Sequence, residues 1–214
     1  MMSIHIRGSL AALIVLACAA SLTRAGDKEE IKESAISFSK ALAAGDGATA
    51  RKYVVSDENS NKMVDALAEF TKAAKGLQEA AVAKFGEDGK TLGGLGTGRM
   101  GPTNTDFKDF DESRLTINGD TATIAPKSPT PGARPTTFKK IDGTWKLDLT
   151  ALFTADHAAQ GIAMMPKMAG VMNELAGEIQ AGKYASLQEA KSAFYQKLAA
   201  AMGAGRPGAQ RPPG

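Results

Sequence analysis

Phe138-Lys139-Lys140-Ile141-Asp142-Gly143-Thr144-Trp145-Lys146-Leu147-Asp148-Leu149 is the stretch on which the reading of the fold turns. Trp145, Leu147 and Leu149 alternate with Lys146 and Asp148, the period-two pattern of a strand with one dry face and one wet face. Just before them Asp142-Gly143 supplies a residue that accepts positive φ at little cost, so a hairpin with a short loop is predicted. A second hairpin lies upstream, where Leu115 and Ile117 lead into Asn118-Gly119 and Thr121, Ala122, Thr123 and Ile124 follow. Between the two pairs, Pro126, Pro129, Pro131 and Pro135 forbid a continuous ladder and predict a loop or an extended edge. With a further strand near 106–110, these segments predict a curved antiparallel sheet whose single apolar face needs a helical cover.

Helical sequence lies on both sides. Asp27 and Glu30 have capping-box spacing ahead of Ile31, Ala35, Phe38 and Leu42, and Gly45 closes that helix. Asp46-Gly47 turns the chain into a short helix over 48–55 that carries Tyr53, with Asp46 as its cap. From Asn59-Ser60 onward, Met63, Leu67, Phe70, Ala74, Leu77, Ala81 and Phe85 trace one face as far as Gly86. That helix is expected to cross the sheet, a dimerising coiled coil being the alternative. After Thr150, capped by Thr154 or Asp156, an apolar series runs from Ile162 to Ile179, with a kink or break predicted at Pro166. Ser186 and Glu189 form a capping box for a last helix whose face is Leu187, Ala190, Phe194 and Leu198. The fold class is α+β.

Arg7, the apolar run over 10–20 and the small-x-small sequence Thr23-Arg24-Ala25 mark residues 1–25 as a signal peptide too short to span a bilayer. The organisation read from the sequence is a leader over 1–25, an α+β domain over 26–150, a C-terminal helical extension over 151–202 packed on the same domain, and a disordered Gly/Pro/Arg tail over 203–214. Cys18 is the only cysteine, so the exported chain has no disulfide. The alternative is a lipoprotein anchored through Cys18, since Val15-Leu16-Ala17-Cys18 resembles a lipobox. Either way the protein is placed outside the cytoplasm, in the periplasm or beyond. Losing Arg7 and Arg24 with the leader leaves 24 basic side chains against 23 acidic ones, well mixed, which argues against a nucleic-acid partner.

The search for chemistry returns few candidates. Gly96-Thr97-Gly98-Arg99-Met100-Gly101 matches G-x-G-x-x-G, but that motif holds a pyrophosphate only between a strand and a helix N-terminus. Helix and glycine precede it here and Pro102 follows, so Gly93, Gly94, Gly96, Gly98 and Gly101 read as a flexible loop able to fold over a pocket mouth. With His5 in the leader, His157 stands alone, and neighbouring Asp156 would point about 100° away on a helix, which makes a surface or cap role the expectation. Met164, Met168 and Met172 recur at four-residue spacing, compatible with core packing or, as the rarer alternative, with Cu(I) held by thioethers. Asp109 and Asp111 could share one side of a strand and carry acid/base chemistry if both faced a closed cavity, a solvated strand entry being the plainer reading.

Phe38-Ser39-Lys40-Ala41-Leu42-Ala43-Ala44-Gly45-Asp46 and the Asp142-Gly143-Thr144-Trp145-Lys146-Leu147 hairpin, in this order of elements, resemble the NTF2-like superfamily, most closely its exported bacterial SnoaL and DUF4878 groups. The resemblance covers about 29–149. It implies N-terminal helices seated in the concave face of a strongly curved sheet, a cone whose pocket would be lined here by Tyr53, Asp109, Asp111 and Trp145. The superfamily's histidine has no counterpart in that part of the chain, and the helices after the last strand are an addition. The functional reading is an exported non-catalytic module that binds a small apolar molecule or an envelope protein, without a cofactor or a metal and able to form a homodimer. The alternatives are a small-molecule isomerase, dehydratase or hydrolase-like enzyme using cone carboxylates, and a structural envelope protein that self-associates through its helices.

Overall fold

The two long apolar stripes of the sequence pack against each other. In the computed structural model of the chain, residues 10–94, 107, 110–126 and 134–203 are described, with side chains from Gly26 onward. Helices α1 (Leu10–Ala43), α2 (Gly47–Ala50), α3 (Glu58–Phe85) and α4 (Lys90–Gly93) precede the strands β1 (Leu115–Asn118), β2 (Thr121–Ile124), β3 (Thr136–Ile141) and β4 (Thr144–Leu147). Helices α5 (Leu149–Leu152), α6 (Ala155–Gln180) and α7 (Leu187–Ala201) follow. The most extensive packing joins α3 to α6; α1 covers β4, and α7 lies on α6.

The expected cone is not formed. The strands make an open antiparallel meander in the order β1-β2-β3-β4, with β1 and β4 at opposite edges. Strands of four, four, six and four residues are too short to wrap around a set of helices, and helix dominates the molecule. The sheet instead presents Ala122, Phe138, Trp145 and Leu147 to the core, all at most 1 % exposed. The register places Phe138 opposite Leu147 and Lys140 opposite Trp145, so these four side chains share one face. No strand forms at Phe110; Phe107 meets Phe138 edge-on at 6.5 Å, and 106, 108 and 109 lie outside the described residues.

Both hairpins close on two-residue loops, the first over Gly119-Asp120 rather than Asn118-Gly119, with Gly119 at φ 57°. Asp142 (φ 50°) and Gly143 (φ 81°) form a two-residue loop with both central residues left-handed, the type I′ signature. Pro126 and Pro135 lie outside the strands, and 127–133 are outside the described residues. The alternating run ends earlier than its pattern suggests. Leu149 is buried but opens α5, and Asp148, expected on the wet face, is 3 % exposed and caps that helix.

Other differences have local causes. Asp27 is not a helix cap, because α1 runs unbroken from Leu10. The α3 stripe, expected on the sheet, is buried by the Met165, Met168, Val171, Met172, Leu175 and Ile179 face of α6, which offers it a matching apolar ridge. Gly161 makes room at this crossing, since a Cβ there would lie 3.2 Å from Met63 Cε and 3.4 Å from Met165 Cε. Helix α6 also continues through Pro166. The ring is on the exposed side, and the buried face of the helix holds the two halves in line. The glycine-rich stretch begins as helix rather than loop: a 3-10 turn over Gly86–Gly89 and α4 fold back on α3.

Candidate functional site

The last helix is held in place by a set of local devices that the sequence encodes closely. At the end of α6 the Gly182 N–H bonds Ile179 O (3.0 Å) and the Lys183 N–H bonds Glu178 O (3.0 Å), a Schellman motif with Gly182 at φ 75°. Ser186 then caps α7 by accepting the Glu189 N–H at 3.2 Å, while Glu189 Oε2 accepts the Ala185 N–H at 2.9 Å. Beneath this turn Glu178 gathers three donors: Lys183 Nζ at 2.5 Å, Lys197 Nζ at 3.1 Å and the Tyr184 hydroxyl. Glu174 accepts a second bond from Lys197 at 2.5 Å. The Lys183 bond, with the Tyr184 and Lys197 bonds behind it, pulls the Glu178 carboxyl down to about 2. Burial, followed by the adjoining carboxylate, pushes the Tyr184 phenol up to about 12, so it remains a donor.

With Ala190 and Phe194 buried toward α6 and Lys197 engaged there, α7 turns Gln188, Glu189, Ser192, Tyr195 and Gln196 outward. Tyr195 is 56 % exposed and stands edge-on against Phe194 at 5.6 Å. Gln188, Glu189, Ser192, Ala193 and Gln196 of this face, with Tyr184 and Ser186 just before the helix, line a shallow open depression of about 620 Å³. The lining offers hydroxyls, carboxamides and one carboxylate, a set suited to hydrogen bonding rather than to proton transfer.

A second cluster joins α1 to the β3–β4 hairpin. Asp27 Oδ1 accepts from Lys140 Nζ (2.6 Å) and from Trp145 Nε1 (2.9 Å), and Glu30 Oε1 accepts the Trp145 backbone N–H at 3.2 Å. Lys140 Nζ lies 5.7 Å from the Trp145 ring centroid. The Lys140 bond and then the Trp145 bond hold the Asp27 carboxyl below the usual carboxylate range, against the opposing effect of burial. A third cluster surrounds Asp148, which accepts from Thr150 N (3.0 Å) and Thr150 Oγ1 (2.6 Å) and pairs with Lys139 at 2.7 Å. Desolvation pushes its carboxyl up, but the Lys139 and Thr150 bonds outweigh that and leave it low. Both clusters tie backbone elements together.

The residues singled out from the sequence are dispersed. Trp145 is a core side chain, Tyr53 packs half-buried against the core, and Asp111 is an exposed cap that accepts from Ser113. None of them lines the depression. Asp109, Gly96, Gly98 and Gly101 lie outside the described residues. Gly93 is no loop residue: it is buried, and a Cβ there would come within 2.5 Å of Gln78 Cβ on α3, whereas Gly94 follows at the exposed helix end. His157 is exposed in the first turn of α6, where its N–H bonds Thr154 Oγ1 at 3.3 Å. Met168 and Met172 are in the core and Met164 is half-buried. Among the described residues, no group of three or more histidine, cysteine or carboxylate side chains is placed to hold a metal ion, and no helix is long and apolar enough to cross a membrane.

The α7 face was absent from the sequence reading because its mark is a scarcity of charge. Gln188, Ser192 and Gln196 recur every four residues on the side away from Ala190 and Phe194, a signal invisible to a search for titratable groups. No protein family, curated protein or solved structure matches the chain.

Proposed function

We propose that the chain is an exported, non-catalytic binding module that engages a protein partner through the outward face of α7. The low charge of that face, a single carboxylate among uncharged side chains, carries the reading. Elsewhere exposed helical surface is laced with ion pairs such as Lys62–Glu58 at 2.7 Å, Lys90–Glu87 at 2.5 Å and Lys75–Glu79 at 3.9 Å. On α7, Gln188, Ser192, Tyr195 and Gln196 interrupt this pattern. Protein interfaces are depleted in charged side chains at their centres and enriched in tyrosine, and this face carries the exposed Tyr195 beside a single carboxylate. A small apolar ligand would favour an enclosed cavity, whereas this depression is open to solvent.

A photoreactive amino acid placed at position 192 in the intact chain, expressed in the cells that produce it, tests this reading. A discrete higher-mass adduct is expected at 192 and not at Lys75, which is exposed on the ion-paired face of α3. Equal labelling at both positions, or none at either, would overturn the assignment.

A further inference from the structure

The first hairpin carries Asn118-Gly119 at an open position. In its Gly119-Asp120 loop Gly119 is left-handed and Asp120 is not, the type II′ arrangement with glycine at the first central position. Asn118 is thereby the last residue of β1, an edge strand, and pairs with Thr121 on the terminal rung of the ladder. Its side chain is exposed, and among the described residues neither the Asn118 carboxamide nor the Gly119 N–H takes part in a hydrogen bond. The space beside Gly119 is empty: a Cβ there would meet nothing within 4 Å.

We propose that Asn118 is a site of spontaneous deamidation through a succinimide. Hydroxide removes the Gly119 amide proton, and the nitrogen, with no Cβ beside it to hinder approach, attacks Asn118 Cγ. The Cγ–Nδ2 bond breaks, and Nδ2 takes up a proton from water and leaves as ammonia. Water then opens the ring. Addition at Cγ gives aspartate with the chain path unchanged; addition at the Asn118 backbone carbonyl carbon gives isoaspartate, whose chain runs through Cβ and Cγ and is longer by one methylene. Asn118 is extended, so the nitrogen reaches Cγ only when the rung to Thr121 opens, and no second rung lies beyond it.

Three other pairs of this kind are present, and each is held. Asp46 Oδ1 accepts the Thr49 N–H at 2.9 Å, and Gly47 lies against Asp65 and Ala68. Gly89 is buried on the backbone of Ala81. Asp142 and Gly143 are both left-handed, and an ionised carboxylate is a poor electrophile. The other described asparagines, Asn59, Asn61 and Asn173, lie within α3 and α6, where the N–H after Asn59 is taken by Asp57 at 2.9 Å. Isoaspartate at the end of β1 would shift Asn118 off Thr121 and loosen the strand that packs Leu115 and Ile117 on the core, whereas aspartate would leave the register intact.

Incubating the full chain at mildly alkaline pH and mapping its peptides by electron-transfer fragmentation tests the site. Conversion at Asn118 should outrun that at Asn59, Asn61 and Asn173 by at least about tenfold, because helical amides are protected and a hairpin end is not. Opening of that end is easy, so the rate in the folded chain should stay within about tenfold of the rate in concentrated urea. Asn118→Gln, which would have to close a larger ring, should stop conversion there without changing the circular dichroism spectrum. Amide exchange at Ile117 should quicken in the isoaspartate fraction and not in Asn118→Asp. A folded rate further below the urea rate, or conversion no faster than at the helical asparagines, would overturn the site. Unchanged exchange in the isoaspartate fraction would overturn its effect on β1.

Discussion

Asp27 receives bonds from a lysine on β3 and a tryptophan on β4, and thereby fixes the angle at which α1 meets the sheet. Lys140 sits on the face of the sheet that α1 covers, where an ammonium without a partner would be costly; Asp27 neutralises it and also takes the Trp145 Nε1–H. Asp27→Ala would leave that indole N–H without an acceptor in a side chain that is 0 % exposed. A loss of about 2–3 kcal/mol is expected by urea denaturation. The residues should also be coupled: Trp145→Phe should cost less in the Asp27→Ala background than in the wild type, and strictly additive losses would show that the bond contributes nothing. The sequence disclosed the burial of Trp145 through its alternation with Lys146. It did not disclose Asp27 as the partner, because the two are 118 residues apart and capping-box spacing gave Asp27 a sufficient local explanation.

At the scale of elements, what was legible was what is local. Asp46 caps α2 at 2.9 Å from the Thr49 N–H, Ser186 caps α7, and Gly45 ends α1 at φ 71°, each within a few residues of its signal. Which apolar stripe meets which was not legible, because a stripe at helical spacing suits a sheet and a second helix equally well; the α3 face therefore pointed to the wrong neighbour. The glycines of the fold-back after α3 illustrate the difference. A Cβ on Gly89 would lie 2.4 Å from the carbonyl of Ala81, whereas one on Gly76 would meet nothing within 4 Å. Gly89→Ala should therefore destabilise by about 2 kcal/mol or more, since the neighbour is backbone and cannot rotate away. Gly76→Ala, in the interior of α3, should stabilise by up to about 1 kcal/mol through helix propensity. Thermal melts of the two variants should move in opposite directions, and a shared direction would contradict the packing described for the fold-back.

Across the whole molecule, Asp27, Asp57, Asp148 and Glu178 all have carboxyl pKa values below their ordinary ones. A carboxylate depressed on folding contributes stability that is present above its unfolded value and lost as pH falls through its folded value. For Glu178 the window runs from 4.5 down to about 2. The urea midpoint should thus fall within that window and be flat above it until the Tyr184 phenol, raised from 10.0 to about 12 on folding, begins to ionise in the unfolded chain, and Glu178→Gln should be less stable at neutral pH with a shallower acid limb. A parallel acid limb in the variant would show that Glu178 is not the group responsible. The edges of the sheet carry a different consequence. On the outer side of β4, Val54 forms a parallel bridge with Leu147, the Val55 N–H takes the Leu147 carbonyl at 2.9 Å, and the Glu30 carboxylate occupies the Trp145 N–H. This edge strand is thereby stoppered against templating by a stray chain, and amyloid-like growth from that side would first require Val54, Val55 and Glu30 to peel away.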